Sequence, residues 1–101
     1  MDEREARKHE GSEMRGNPPT REAARNNMKT RIALERDRQI TLWGNGPMPL
    51  ELRLAILTEE VGEVARAICD EQGDEHMLEE LVQVAAVALR WGEDLLLEMK
   101  R

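Results

Sequence analysis

The sequence contains no Phe, no Tyr and a single cysteine, Cys69. One cysteine excludes a disulfide framework and favours an intracellular setting; we expect this thiol to be packed rather than reactive. No run of 18 apolar residues occurs, so we expect no membrane span. The N-terminus is polar and mixed in charge, which is not typical of a secretory signal. We therefore expect a cytoplasmic protein without a membrane partner.

The chain has 101 residues, of which 36% are charged and 40% hydrophobic. A single domain of this size forms a marginal core, so we expect a homodimer or tetramer in which a second copy covers the surplus apolar surface. The net charge is −6, and residues 41–101 hold five Lys/Arg against thirteen Asp/Glu. This acidity disfavours binding to a nucleic-acid polymer. It suits a cation that bridges to an anionic substrate.

Residues 1–20 are rich in Gly, Pro and charge and have almost no apolar side chains. They cannot bury enough surface to fold, so we predict a flexible tail at 1–20 and a helical domain at 21–101. Thr20 is a suitable N-cap for a helix that runs to about Trp43. Its thin apolar face, formed by Met28, Ile32, Ile40 and Trp43, places it on the outside of a bundle. A Gly-Pro-rich break follows.

Two more helices are predicted, the first with Pro49 in its first turn and the second capped by Asp74 and running to about Met99. Apolar residues recur on the first at steps of four and three: Leu50, Leu54, Leu57, Val61, Val64 and Ile68. The second is apolar over most of its circumference, with a main stripe of Leu78, Leu81, Ala85, Ala88 and Leu95. No alternating strand pattern occurs, so the predicted fold class is all-α.

Carboxylates interrupt both apolar helices. Glu60 and Glu63 occupy neighbouring turns of one face, whereas Glu59 points elsewhere. On the second helix, Glu80 and Gln83 share a face with His76. If the two helices pack antiparallel through their apolar stripes, these side chains approach one another.

Several oxygens would then converge without a thiolate, a set that favours Mg²⁺ or Mn²⁺ over zinc. The alternative is that Glu79 and Glu80 only complement the helix dipole in a first turn. Trp43 and Trp91 either stack on a base or pack in the core or at an interface. His76 is a general base, a phosphate contact or a partly exposed residue at the start of its helix.

The segment Leu-Thr-Glu-Glu-Val-Gly-Glu-Val-Ala at 57–65, followed by Glu-Glu-Leu-Val-Gln-Val-Ala at 79–85, resembles the MazG-like family of all-α nucleoside triphosphate pyrophosphohydrolases. That family pairs Glu-Glu-x-x-Glu with Glu-x-x-Asp. The segment Arg-Gln-Ile-Thr-Leu-Trp-Gly at 38–44 also resembles the region before the first motif. The resemblance covers roughly residues 30–98.

The resemblance implies a MazG-like helical bundle completed by dimerisation and the Mg²⁺-dependent cleavage of an NTP or dNTP to the monophosphate and pyrophosphate. It implies metal ligation by Glu60, Glu63, Glu80 and the residue at position 83. Glu59 or Glu63 would orient the attacking water. The expected substrate contacts are Arg38, Trp43 and Arg53.

Gln83 departs from the family pattern because a neutral amide replaces the final Asp. An amide carbonyl can still ligate a cation, but it carries no charge. Two other functions therefore stay open. One is a catalytically weakened module that binds a nucleotide without rapid hydrolysis, and the other is a structural helical adaptor.

Overall fold

A computed structural model describes residues 18–100 and consists of three helices. Helix α1 spans Arg21–Trp43, α2 spans Leu50–Cys69 and α3 spans Asp74–Met99. No strand occurs within residues 18–100, which confirms the all-α prediction. The tail predicted at 1–20 lies outside the described residues except for positions 18–20, which are exposed.

The start of α1 forms as the sequence predicts. The Thr20 hydroxyl oxygen accepts a hydrogen bond from the Ala23 amide at 3.0 Å, which satisfies one of the free donors of the first turn. The helix ends at Gly44, whose φ of +71° is accessible at little cost without a Cβ.

The starts of α2 and α3 differ slightly from the predictions. Pro49 precedes α2 instead of lying in its first turn. The prediction of Asp74 as the cap of α3 is wrong, since Gly73, with φ +92°, holds that position. Asp74 is the first helical residue, where a carboxylate still complements the helix dipole.

Helix α3 is the centre of the fold. Both α1 and α2 pack against α3, and their backbones do not pack against each other within the described part of the chain. Arg53, near the start of α2, forms an ion pair with Glu98, near the end of α3, so these two helices are antiparallel. The antiparallel arrangement on which an approach of the two carboxylate segments depends is therefore present.

The faces that meet are not the predicted ones. In residues 18–100 the buried apolar side chains are Ala67, Val82 and Ala86. Most of the α2 stripe faces outward: Leu50, Leu54, Val61 and Ile68 are each more than half exposed. The most buried apolar positions are thus occupied by small residues, whereas most of the bulky side chains of the stripe are exposed. The prediction that the helices pack through their leucine stripes is wrong.

Two buried arginines hold the α1–α2 connection in place. Arg36 donates from Nη2 to Asn45 Oδ1 at 2.6 Å and from Nε to Glu93 Oε1 at 3.0 Å. Arg90 donates from Nη2 to the Gly46 carbonyl oxygen at 2.9 Å. Both guanidinium groups thus link the connection to the bundle, where they satisfy polar groups that water would otherwise satisfy.

Two further observations bear on sequence predictions. Cys69 is exposed at the end of α2, so the prediction of a packed thiol is wrong. Among residues 18–100, none of the helices has the length and apolar character that crossing a bilayer requires.

Replacing Arg36 with Ala removes a buried side chain and its bonds to Asn45 and Glu93. Because bonds to a charged group contribute about 1.5–3 kcal/mol, we expect the free energy of unfolding to fall by about 2 kcal/mol. Urea denaturation followed by circular dichroism measures this change. Arg25→Ala, on the exposed face of α1, is the control and should stay within about 0.5 kcal/mol of the wild type. Equal stability of the two variants would contradict this role of Arg36.

Candidate functional site

Glu60 of α2 and Glu80 of α3 are the central carboxylates of the site. Each has a buried Oε2 atom without a hydrogen-bond partner. Burial raises the pKa of Glu60 above its ordinary value, and the negative charge of Glu80 raises it further. The packing of α2 against α3 therefore places two carboxylates within electrostatic range of each other, and their mutual repulsion costs free energy.

His76 is one helical turn before Glu80 on α3. Its Nε2 atom lies 3.4 Å from Glu80 Oε1, and its side chain is 42% exposed. The imidazole is therefore partly exposed, in agreement with the prediction that His76 is a partly exposed residue at the start of its helix. It contacts only one oxygen of Glu80, so the other oxygen stays without a partner.

Glu63 and Glu59 lie at the edge of the Glu60–Glu80 pair. Glu63 is half-buried, and one of its oxygens is 3.7 Å from Arg66 Nη1. Glu59 is exposed on a different side of α2. Both carboxylates nonetheless raise the pKa of Glu60 by their charge, which places them within electrostatic range of the centre.

A cavity of about 350 Å³ lies between α1 and α3, and neither Glu60 nor Glu80 lines it. Its walls include Arg31, Glu35 and Arg38 of α1 and Glu79, Val82 and Gln83 of α3. The cavity thus combines two guanidinium groups with two carboxylates and the amide that departs from the family pattern.

Glu35 and Arg38 form a bidentate pair in this cavity. Arg38 donates from Nε to Glu35 Oε1 at 2.8 Å and from Nη2 to Oε2 at 2.7 Å. Gln39, which is buried, donates to the same Oε2 at 3.1 Å. The hydrogen bonds from Arg38 lower the pKa of Glu35 despite its burial, so this carboxylate stays charged.

The predicted substrate residues are only partly brought together. Arg38 lines the cavity and its charge interacts with that of Glu60. Arg53 instead contacts Glu98 and donates to the Met48 carbonyl oxygen at 2.9 Å. It lies two helical turns before Glu60 on α2, a separation of about 10 Å along the helix axis. Trp43 is 62% exposed at the end of α1 and is not part of the cavity wall.

The fit of these side chains to a divalent cation depends on how closely their oxygens converge. No group of three or more acidic, His or Cys side chains in residues 18–100 converges closely enough to hold an ion as the side chains stand. The two unpartnered buried oxygens of Glu60 and Glu80 are nevertheless the kind of hard donor that Mg²⁺ prefers. The chemistry of these donors suits such a cation, although the described side chains do not converge on one point.

Sequence reasoning missed Glu35 and Arg31 as site residues. Both lie on the mostly polar α1, where an acid or a base is ordinarily a solvated surface residue. The available signal was the spacing from Glu35 to Arg38, which allows an i,i+3 ion pair, directly before the segment that resembles the family. Nothing in that spacing indicates that the pair faces α3.

Comparison with protein families, with characterised proteins and with solved structures finds no match for this chain.

The raised pKa of Glu60 predicts a specific pH dependence. The stability that protonated Glu60 provides is complete below its ordinary value of 4.5 and is lost as the pH rises through the higher native value. Glu60→Gln imitates the protonated form. We therefore expect this variant to melt above the wild type at neutral pH in a metal-free buffer, with a difference that shrinks below pH 4.5.

Melting curves in a chelating buffer between pH 4 and pH 8 would measure this difference. Glu51→Gln makes the same change at an exposed position of α2 and is the control. A Glu60→Gln variant that is less stable than the wild type at neutral pH would show that ionised Glu60 is well accommodated.

Proposed function

We propose that this chain is a MazG-like nucleoside triphosphate pyrophosphohydrolase, which cleaves an NTP or dNTP to the monophosphate and pyrophosphate with Mg²⁺ or Mn²⁺. The observation that carries the proposal is the pair of buried, unpartnered oxygens of Glu60 and Glu80. The same two residues lie in the two motifs that resemble the family. An apolar or neutral pair would pack at this position without the electrostatic cost, so a role in binding a cation explains why acids are present.

In this proposal Glu60, Glu63 and Glu80 hold the cation, with the amide oxygen of Gln83 as a neutral donor. A divalent cation supplies polarisation of the phosphate oxygens and lowers the pKa of a bound water. Glu63 is half-buried and therefore reachable by solvent, so it is the better candidate to orient the attacking water. Glu59 is exposed and acts at longer range through its charge.

Arg38 is the proposed phosphate contact. Its side chain is 51% exposed while that of its partner Glu35 is only 12% exposed, so the guanidinium is accessible from the cavity. Planar guanidinium groups bind phosphate oxygens in a bidentate manner. Arg53 and Trp43 lie outside this cavity, so the proposal assigns them no direct contact with the phosphates.

A second candidate function is a nucleotide-binding module with little hydrolysis. Two observations favour it: Gln83 carries no charge, and the described carboxylates do not converge as they stand. In that case a nucleotide would raise the melting temperature in the presence of Mg²⁺ while no pyrophosphate is released. A structural adaptor would show neither effect.

The proposal includes assembly into a homodimer. The apolar stripe of α2 faces outward, and Leu81, Leu89 and Leu95 of α3 are also exposed. The buried apolar residues within 18–100 are small, so the chain alone removes little large apolar surface from water. Association of two such surfaces would supply the missing burial, since each apolar Å² removed from water contributes about 25 cal/mol.

The activity is tested by screening NTPs and dNTPs with Mg²⁺ and with Mn²⁺ while pyrophosphate release is measured. We expect the wild type to be active and Glu60→Gln and Glu63→Gln each to lose at least about a hundredfold, because each removes one charge from the cation site. Glu51→Gln should keep full activity. Equal rates for the wild type and both site variants would refute the proposed site.

Assembly is tested by analytical ultracentrifugation. The wild type should sediment as a dimer or larger at micromolar concentration, and Val61→Glu should shift it to monomer by placing a charge in the apolar stripe. Glu51→Gln, which adds no charge, is the control. A folded wild-type monomer under these conditions would contradict the proposed interface.

A further inference from the structure

The cavity between α1 and α3 has the size and lining of a site for one small, flat ligand. Its volume of about 350 Å³ falls within the range of small-molecule sites. The two helices each supply an apolar side chain, Leu34 of α1 and the buried Val82 of α3. Two guanidinium groups and two carboxylates complete the wall, so the formal charges cancel. An uncharged ring such as a nucleobase suits this cavity better than a phosphate group does.

The α3 wall of the cavity carries two polar side chains that are one helical turn apart. Glu79 and Gln83 are separated by four positions, so they project from the same face of the helix. Within residues 18–100 neither side chain forms a hydrogen bond or an ion pair. Both are therefore available to a ligand, in contrast to Glu35 and Arg38 on the facing wall, which bind each other.

These two side chains offer a specific pattern of donors and acceptors. A carboxylate such as that of Glu79 only accepts hydrogen bonds, and its two oxygens match a ligand with two parallel N–H donors. The amide of Gln83 has one oxygen and one NH2 group. The proposed cation site uses the oxygen, which leaves the NH2 group to donate into the cavity. The wall thus presents a pair of acceptors beside a donor.

Guanine is the nucleobase whose edge is complementary to this pattern. Its Watson–Crick edge carries two adjacent donors, N1–H and the N2 amino group, next to the acceptor O6. Adenine and cytosine have only one donor group on that edge. In uracil and thymine the single N–H lies between two carbonyl oxygens, which a carboxylate would repel. Each of these mismatches leaves a polar group unpaired inside the cavity, and that costs affinity.

We propose that this cavity binds the base of a guanine nucleotide, with the Glu79 carboxylate accepting from N1–H and the N2 amino group and the Gln83 NH2 group donating to O6. The inference rests on the proposed function and adds the base of its substrate. Arg38 lines the same cavity and is the proposed phosphate contact, so one nucleotide would reach both. Arg31 lies two turns before Arg38, about 10 Å along α1, and its planar guanidinium is suited to stacking on the base.

Base selectivity is measured by calorimetric titration in a Mg²⁺ buffer. The ligands are nucleoside triphosphate analogues with a methylene group between the first and second phosphorus atoms, so the bond that the proposed reaction breaks stays intact. We expect the guanosine analogue to bind the wild type about tenfold or more tightly than the adenosine, cytidine and uridine analogues, because a bidentate contact discriminates between bases by at least this factor. Equal affinity for all four analogues would overturn the inference.

The corresponding inosine analogue isolates the contact made by Glu79. Its base keeps O6 and N1–H and lacks only the N2 amino group, so the wild type should bind it several-fold less tightly than the guanosine analogue. Glu79→Ala should bind the two analogues about equally, because the acceptor of the amino group is gone. Glu51→Ala removes the same side chain from an exposed position of α2 and should keep the preference. An unchanged preference in Glu79→Ala would overturn the inference.

Gln83→Glu tests the second contact. This variant replaces the NH2 donor with an acceptor that repels O6, so the preference for guanosine over a 2-aminopurine analogue, which lacks O6, should disappear or reverse. Both ligands carry the same phosphates, and their affinity ratio is therefore insensitive to changes at the cation site. A preserved ratio would contradict the assignment of Gln83 and with it the inference.

The outcomes also separate this inference from the proposed function. If all four natural triphosphates release pyrophosphate at equal rates and the analogues bind equally, the hydrolysis stands and the guanine site is wrong. If the guanosine analogue binds selectively and GTP releases no pyrophosphate, the guanine site stands and the hydrolysis is wrong. If no nucleotide binds, both are wrong.

Discussion

The packing of α2 on α3 must accommodate the carboxylates of Glu60 and Glu80, which repel each other. Two like charges with buried, unpartnered oxygens oppose the packing of α2 on α3. The helices pack against each other nonetheless, and Ala67 of α2 and Ala86 of α3 are among the most buried residues of the chain's described part. The fold thus accepts an electrostatic cost at one place, and the proposed cation would offset that cost.

The distribution of charged and apolar side chains agrees with this constraint. The acids and the buried arginines lie on the faces that meet inside, whereas most of the leucines of α2 lie outside. Arg36 and Arg90 donate to the α1–α2 connection, although one buried nitrogen of each has no hydrogen-bond partner. Glu60 and Glu80 likewise each have one buried oxygen without a partner, and these two carboxylates also repel each other.

The fold was largely predictable because helix signals are local. The N-cap at Thr20, the glycines that end segments and the periodic apolar residues all act within a few positions of the chain. The end of α3 at Met99 and the start of α1 at Arg21 follow the predictions for that reason. The packing faces were predicted incorrectly, since an apolar stripe shows that a face must be covered without showing what covers it.

The candidate site was likewise predictable from the sequence only where its residues are neighbours on one helix. By its spacing, the sequence determined that Glu60 and Glu63 share one face and that Glu80 and Gln83 share another, because helical geometry sets the angle between neighbours. Only the tertiary structure decided that Arg38 and Glu35 join them while Arg53 and Trp43 do not. Which side of α1 faces α3 is set by contacts between residues far apart in the chain, such as Arg36 with Glu93, and no local pattern encodes such a contact.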